Sequence, residues 1–174
     1  MMGLAWRSHC WRAARAQLLP ILPIEVVRLR VRRAAELGLP YKTYAGIRAS
    51  TGHDLVAFLF SSNALHILPR QPDLPEDRAR ALLKISGAAR IGLACPPLAP
   101  RTLHTAAPVL DAAHPAPRHL SSFAEARQQI RAAIGKLPSD TVLLVGDHGL
   151  EADWCAAGRL AGYLSAEGYF GAGA

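Results

Sequence analysis

The chain has 174 residues, enough for one domain or for a core domain with an extension. Hydrophobic residues make up 51%, which excludes wholesale disorder, and no apolar run nears the ~20 residues of a membrane span. The formal charge of +7 belongs to residues 1–50, where nine cations face two acids; residues 51–174 hold eleven of each.

That asymmetry divides the chain into a basic helical extension, 1–50, and a neutral α/β domain, 51–174. The basic third is expected to meet a partner protein or a nucleic acid. The plain alternative is an Arg-rich solvated helix, since 17 of the 20 cations are Arg. Cys10, Cys95 and Cys155 are odd in number and widely spaced. They suggest neither a disulfide framework nor a zinc site, and a reducing, cytoplasmic setting is the expectation.

Residues 1–17 carry no acid and place Arg7, Arg12 and Arg15 beside Trp6 and Trp11. The arginines are too dispersed for a secretory signal, but an organellar targeting segment over residues 1–20 stays open. Ile24 to Leu37 reads as a helix with Ile24, Val27, Val31 and Ala34/Ala35 on one face, stopped by Gly38. With Tyr41 to Ile47 as a second short helix, the outline is that of a helix-turn-helix. Its nucleic-acid contacts would be Arg28, Arg32, Lys42 and Arg48, and their binding to phosphates would be salt-dependent. Pro40 and Gly46 weaken that second helix.

Leu55 to Phe60 is a continuous apolar run with a polar exit, Ser61-Ser62-Asn63, as expected of a buried parallel strand. Asp73 reads as the cap of a helix from Pro75 to Ser86 that buries Ala79, Leu82, Leu83 and Ile85. Arg90 to Cys95 is a second strand. The proline-rich stretch from Pro96 to Leu120 reads as loop or broken helix, and its three histidines lack metal-ligand spacing. Ser122 and Glu125 form a capping box for a helix whose stripe is Phe123, Ala126, Ile130, Ala133/Ile134 and Leu137. Thr141 to Val145 is a third strand, running into Gly146-Asp147-His148. A last helix from about Leu150 is expected to bury Leu150, Trp154, Ala157, Ala161 and Leu164.

Alternating strands and helices imply a three-layer, Rossmann-like fold with a mostly parallel sheet of four or five strands. Ligands of such sheets lie beyond the strands' carboxyl ends. The ligand candidates are therefore Ser61, Ser62, Asn63, Asp147 and His148. Asp147, Glu151 and Asp153 are weaker candidates to hold Mg²⁺; the plain alternative is that Asp147 caps the helix and the other two complement its dipole. Cys95 and Cys155 read as small core residues.

Val145-Gly146-Asp147, followed by Glu151, Asp153, Ala156-Ala157 and Ala161-Gly162, resembles the last motif of the haloacid dehalogenase superfamily. His114-Pro115-Ala116-Pro117 is similar to that family's Lys-Pro-x-Pro segment, and Leu59 to Leu65 occupies the place of its nucleophile motif. The resemblance covers roughly residues 55–164 and implies a phosphatase-like hydrolase with Mg²⁺ near Asp147. The departures are large. Phe60 and Ser62 stand where the family has aspartates, and His114 stands at the Lys position. The second acid is offset, four residues beyond Asp147 as Glu151 or six as Asp153. Phosphoryl transfer needs the charges that are missing. The resemblance thus implies a degenerate, non-catalytic member that binds a partner or a small phosphorylated ligand, with a hydrolase and a nucleic-acid-binding regulator as alternatives.

Overall fold

A computed structural model describes residues 22–171. The expectations for residues 1–20 lie outside the described residues. The described chain forms an α/β fold with a five-stranded, all-parallel sheet in the order β3-β2-β1-β4-β5. The strands are β1 (Ala57–Ser61), β2 (Ala89–Ala94), β3 (Ala112–Pro115), β4 (Val142–Gly146) and β5 (Gly162–Ser165). The helices are α1 (Ile24–Glu36), α2 (Tyr41–Thr51), α3 (Glu76–Lys84), α4 (Pro100–Ala106), α5 (Phe123–Ile134), α6 (Gly149–Gly158) and α7 (Ala166–Phe170). No helix among the described residues is long and apolar enough to cross a membrane.

Every residue of β1 and β4 is buried, because both strands lie inside the sheet with helices on each face. Alternation along the strands divides the core in two. Phe58, Phe60, Leu143 and Val145 pack with Ala34, Leu37, Tyr44, Leu82, Leu103 and Tyr169 from α1, α2, α3, α4 and α7. Ala57, Leu59, Val142 and Leu144 pack with Ala126, Ile130, Trp154 and Ala157 from α5 and α6. Burying a large apolar side chain contributes about 1.5–3 kcal/mol, so α1 and α2 are held to the sheet by the same core that the strands build. Arg33 adds a polar anchor. Its guanidinium donates to Asp54 at 2.9 Å, to Glu36 at 3.1 Å, and to the carbonyls of Leu55, Ser86 and Gly87.

Several elements differ from the sequence expectation. The helix face of α1 that meets the core carries Ala34 and Leu37, while Ile24 and Val31 are exposed. Pro75, not Asp73, precedes α3, with no side-chain cap. Leu83 of α3 points to solvent, and Arg78 is buried in its place. The proline-rich stretch contains α4 and β3, the latter paired with β2 through Ile91–Ala112 to Ala94–Pro115. Proline's missing donor is tolerated there because β3 is an edge strand. The last expected helix ends at Gly158, after which Arg159 turns left-handed at φ 54° and Gly162–Ser165 pairs with β4. A Cβ on Gly158 would stand 2.6 Å from Ile130, so glycine lets α6 lie close against α5. Phe123 and Leu150, expected inside, are exposed. The capping box of α5 is formed: Ser122 accepts from the Glu125 amide at 3.2 Å, and Glu125 accepts from the Ser122 amide at 2.9 Å.

Candidate functional site

Strand order fixes where a site can form. After β1 the chain crosses to β2 on one side, and β4 lies on the other, so the order reverses between β1 and β4. The loops that leave the carboxyl ends of neighbouring strands diverge at such a point and open a crevice. Here it is lined by Asn63, His66, Gln71 and Pro75 from the β1–α3 connection and by Asp147 and His148 after β4, enclosing about 420 Å³.

The floor is built around Glu151, which is completely buried in the first turn of α6. Its Oε2 accepts from the Ser61 hydroxyl at 2.8 Å and from the Asp147 amide at 2.7 Å. Its Oε1 accepts from the Asn63 side-chain amide at 2.7 Å, with the Cys95 thiol 3.7 Å away. A carboxylate has about four lone-pair sites, and four donors occupy them. The positive end of the α6 dipole favours the charge at this place. Gly146 is required by the same contact: a Cβ there would lie 2.5 Å from Glu151 Oε2 and 2.8 Å from Tyr163.

Ser61 and Ser62 serve the frame rather than the cleft surface. Ser61 Oγ, while donating to Glu151, accepts from the Ala64 amide at 3.0 Å and so fixes the turn after β1. Ser62 Oγ accepts from the Cys95 amide at 3.1 Å, and its own amide donates to the Leu93 carbonyl. Both serines are buried. Glu151 and the two serines thereby tie the exits of β1, β2 and β4 into one unit. Burial pushes the Cys95 thiol up to about 11, and the Glu151 charge acts in the same direction, so the sulfur stays protonated at neutral pH. Cys155 is part-buried, and burial likewise raises its thiol.

Asn63, Asp147 and His148 do line the cleft. His148 stands edge-on to His119, which stacks on Trp154 with ring centroids 5.6 Å apart. The acids considered for Mg²⁺ do not form a set. Asp147 is exposed at the cleft, Glu151 faces inward onto its donors, and Asp153 is exposed in a separate groove with Arg118, Phe123 and Trp154. No group of three or more His, Cys, Asp or Glu side chains among the described residues is arranged to hold a metal ion. Asp147, Glu151 and Asp153 therefore do not present a joint ligand set for Mg²⁺.

The nucleic-acid candidates are divided. Arg28, Arg32 and Lys42 are exposed, while Arg48 lies 3.7 Å from Asp54 and donates to the Tyr44 hydroxyl. Tyr44 is itself buried and donates to Asp54 at 2.8 Å. The second helix thus spends its central side chains on the core.

Sequence reasoning missed His66, Gln71 and Arg78. Arg78 is 8% exposed. Its Nη2 lies 3.0 Å from His66 Nε2, and the guanidinium carbon sits 4.3 Å over the Phe170 ring. Burial pulls this guanidinium below its ordinary value, opposed by the charges of Asp77 and Asp147. A signal was present. Arg78, Leu82 and Ile85 fall at i, i+4 and i+7, as do Glu151, Trp154 and Gly158 at i, i+3 and i+7, so both charged residues stand on apolar stripes. Comparison with protein-family models, curated proteins and solved structures finds no match.

Proposed function

We propose that this protein is a non-catalytic α/β module that binds a small phosphorylated ligand in the crevice between the ends of β1 and β4. In this reading it is a haloacid-dehalogenase-like chain that has lost the catalytic aspartates and kept the cleft. The observation that carries the proposal is the buried Glu151 with its donors. The Glu151 carboxylate and the Ser61 hydroxyl are consumed in holding the two loops together, which leaves no accessible nucleophile at Ser61. What faces the cleft is polar: the Asn63 and Gln71 amides, the His66 and His148 imidazoles and the Asp147 carboxylate. Sites of this kind use a few placed polar groups on a preformed cavity.

The test is a thermal-melting screen of the full chain against nucleotides, sugar phosphates, inorganic phosphate and divalent cations, run beside a phosphoester turnover assay. A ligand at 100 times its Kd stabilises by about 2.7 kcal/mol, which is easily read. The expected result is a saturable upward shift with at least one phosphorylated compound and no turnover. Turnover abolished by Asp147→Asn would replace this reading with the hydrolase.

A further inference from the structure

Arg78 is the one feature beside the cleft that the frame does not explain. It stands in the first turn of α3, three residues after Pro75, a cleft residue, and touches His66, another. Its Nε and Nη1 are buried and have no hydrogen-bond partner among the described residues. No carboxylate among the described residues is within ion-pair distance of it, and the acids whose fields reach it are Asp77 and Asp147. Its contacts are the His66 ring and the face of Phe170. A guanidinium has five donors and no acceptor, and it stays charged. Burying such a charge is costly unless it is paired and hydrogen-bonded, and a ring face satisfies only part of that demand.

His66 is strained as well. It holds φ 56°, a left-handed conformation that L-residues seldom adopt; it lines the cleft and touches the guanidinium. Strain of this kind concentrates at ligand sites. Its imidazole is the one acceptor within reach of Arg78 Nη2 among the described residues, at 3.0 Å.

We infer that Arg78 is the anion-recognising residue of this cleft, and that an incoming phosphate or carboxylate group displaces the His66 ring and takes its place as acceptor. The inference rests on the cleft being a ligand site. Arginine's planar fork suits both anions, and the two share one chemistry here.

The experiment is calorimetric titration of the full chain with inorganic phosphate and, separately, acetate, for the wild type, Arg78→Met, Arg78→Lys and His66→Gly. Charge-assisted hydrogen bonds of this type correspond to a loss of roughly 10- to 100-fold in affinity, which is the expected effect of Arg78→Met on phosphate. Arg78→Lys should recover part of it. His66→Gly, which removes both the ring and the backbone strain, should bind phosphate at least as tightly as the wild type. The melting temperature without ligand should be unchanged or higher in Arg78→Met, because an unpaired buried cation is gone. Arg78→Met binding phosphate like the wild type, with Asn63→Ala losing it, would overturn the role of Arg78 and leave the cleft standing. Binding of acetate in preference to phosphate would keep Arg78 and overturn the phosphorylated ligand. No binding of either anion by the wild type would overturn both.

Discussion

At the scale of single residues, one carboxylate organises the centre of the molecule. Glu151 is buried and receives Ser61, Asn63 and the Asp147 amide, and the Ser61 hydroxyl is buried with it. Glu151→Ala leaves them without an acceptor and opens a void, so it is expected to destabilise by about 2–4 kcal/mol. Glu151→Gln keeps the shape but turns an NH₂ toward a donor, and about half that loss is expected. Denaturant midpoints at unchanged slope measure both. A loss within ~0.5 kcal/mol for Glu151→Ala, the range of an ordinary surface change, would mean that the carboxylate is not the strut described.

At the scale of elements, the docking of α1 and α2 turns on a cluster around Asp54. Burial alone would raise this carboxyl. The Tyr44 hydroxyl, the Arg33 guanidinium and the Leu55 amide outweigh that and hold it below the usual carboxylate range. A carboxylate depressed on folding contributes stability above its unfolded pKa of ~3.9, and the contribution is lost as pH falls through the folded value. Asp111 and Glu125 are depressed by their own hydrogen bonds and add to the same slope. Wild type is therefore expected to lose stability on acidification from pH ~5 to ~3, and Asp54→Asn to show a flatter curve over that window. Parallel curves for the two proteins would remove Asp54 from the anchor.

The sequence was legible in proportion to how locally each element is determined. The apolar runs near 58, 93 and 143 read as buried strands from their length and, after 60, their polar exit, and the capping box at Ser122 marks its helix from four residues. β5 was not legible. Ala161 and Leu164 continue a helical stripe, and only the tight seat of Gly158 on Ile130 and the pairing with β4 end α6 where it does. β3 hides among prolines, because an edge strand needs fewer donors than a central one. At the site, Asn63, Asp147 and His148 were legible as strand-end polar residues. For Glu151 and Arg78 the sequence carried only their place on apolar stripes; their partners were not legible, since each depends on what a distant loop supplies.

At the scale of the whole molecule, the all-parallel sheet brings the exits of β1 and β4 together and splits them apart again into a crevice. Helices from both ends of the described chain close one face of the sheet. Tyr169 of α7 donates to the Leu37 carbonyl at 3.0 Å and packs against Phe58 and Phe60. The crevice therefore stands on a frame that a ligand need not rearrange, and binding there is expected to perturb its rim and little else. The most direct measurement is residue-by-residue mapping of backbone amide chemical shifts while the full chain is titrated with inorganic phosphate. Saturable changes concentrated at Ser62–His66, Arg78 and Asp147–Gly149 are expected, with α1 unmoved. Changes centred on the exposed arginines of α1, or a spectrum that phosphate leaves untouched, would contradict the account.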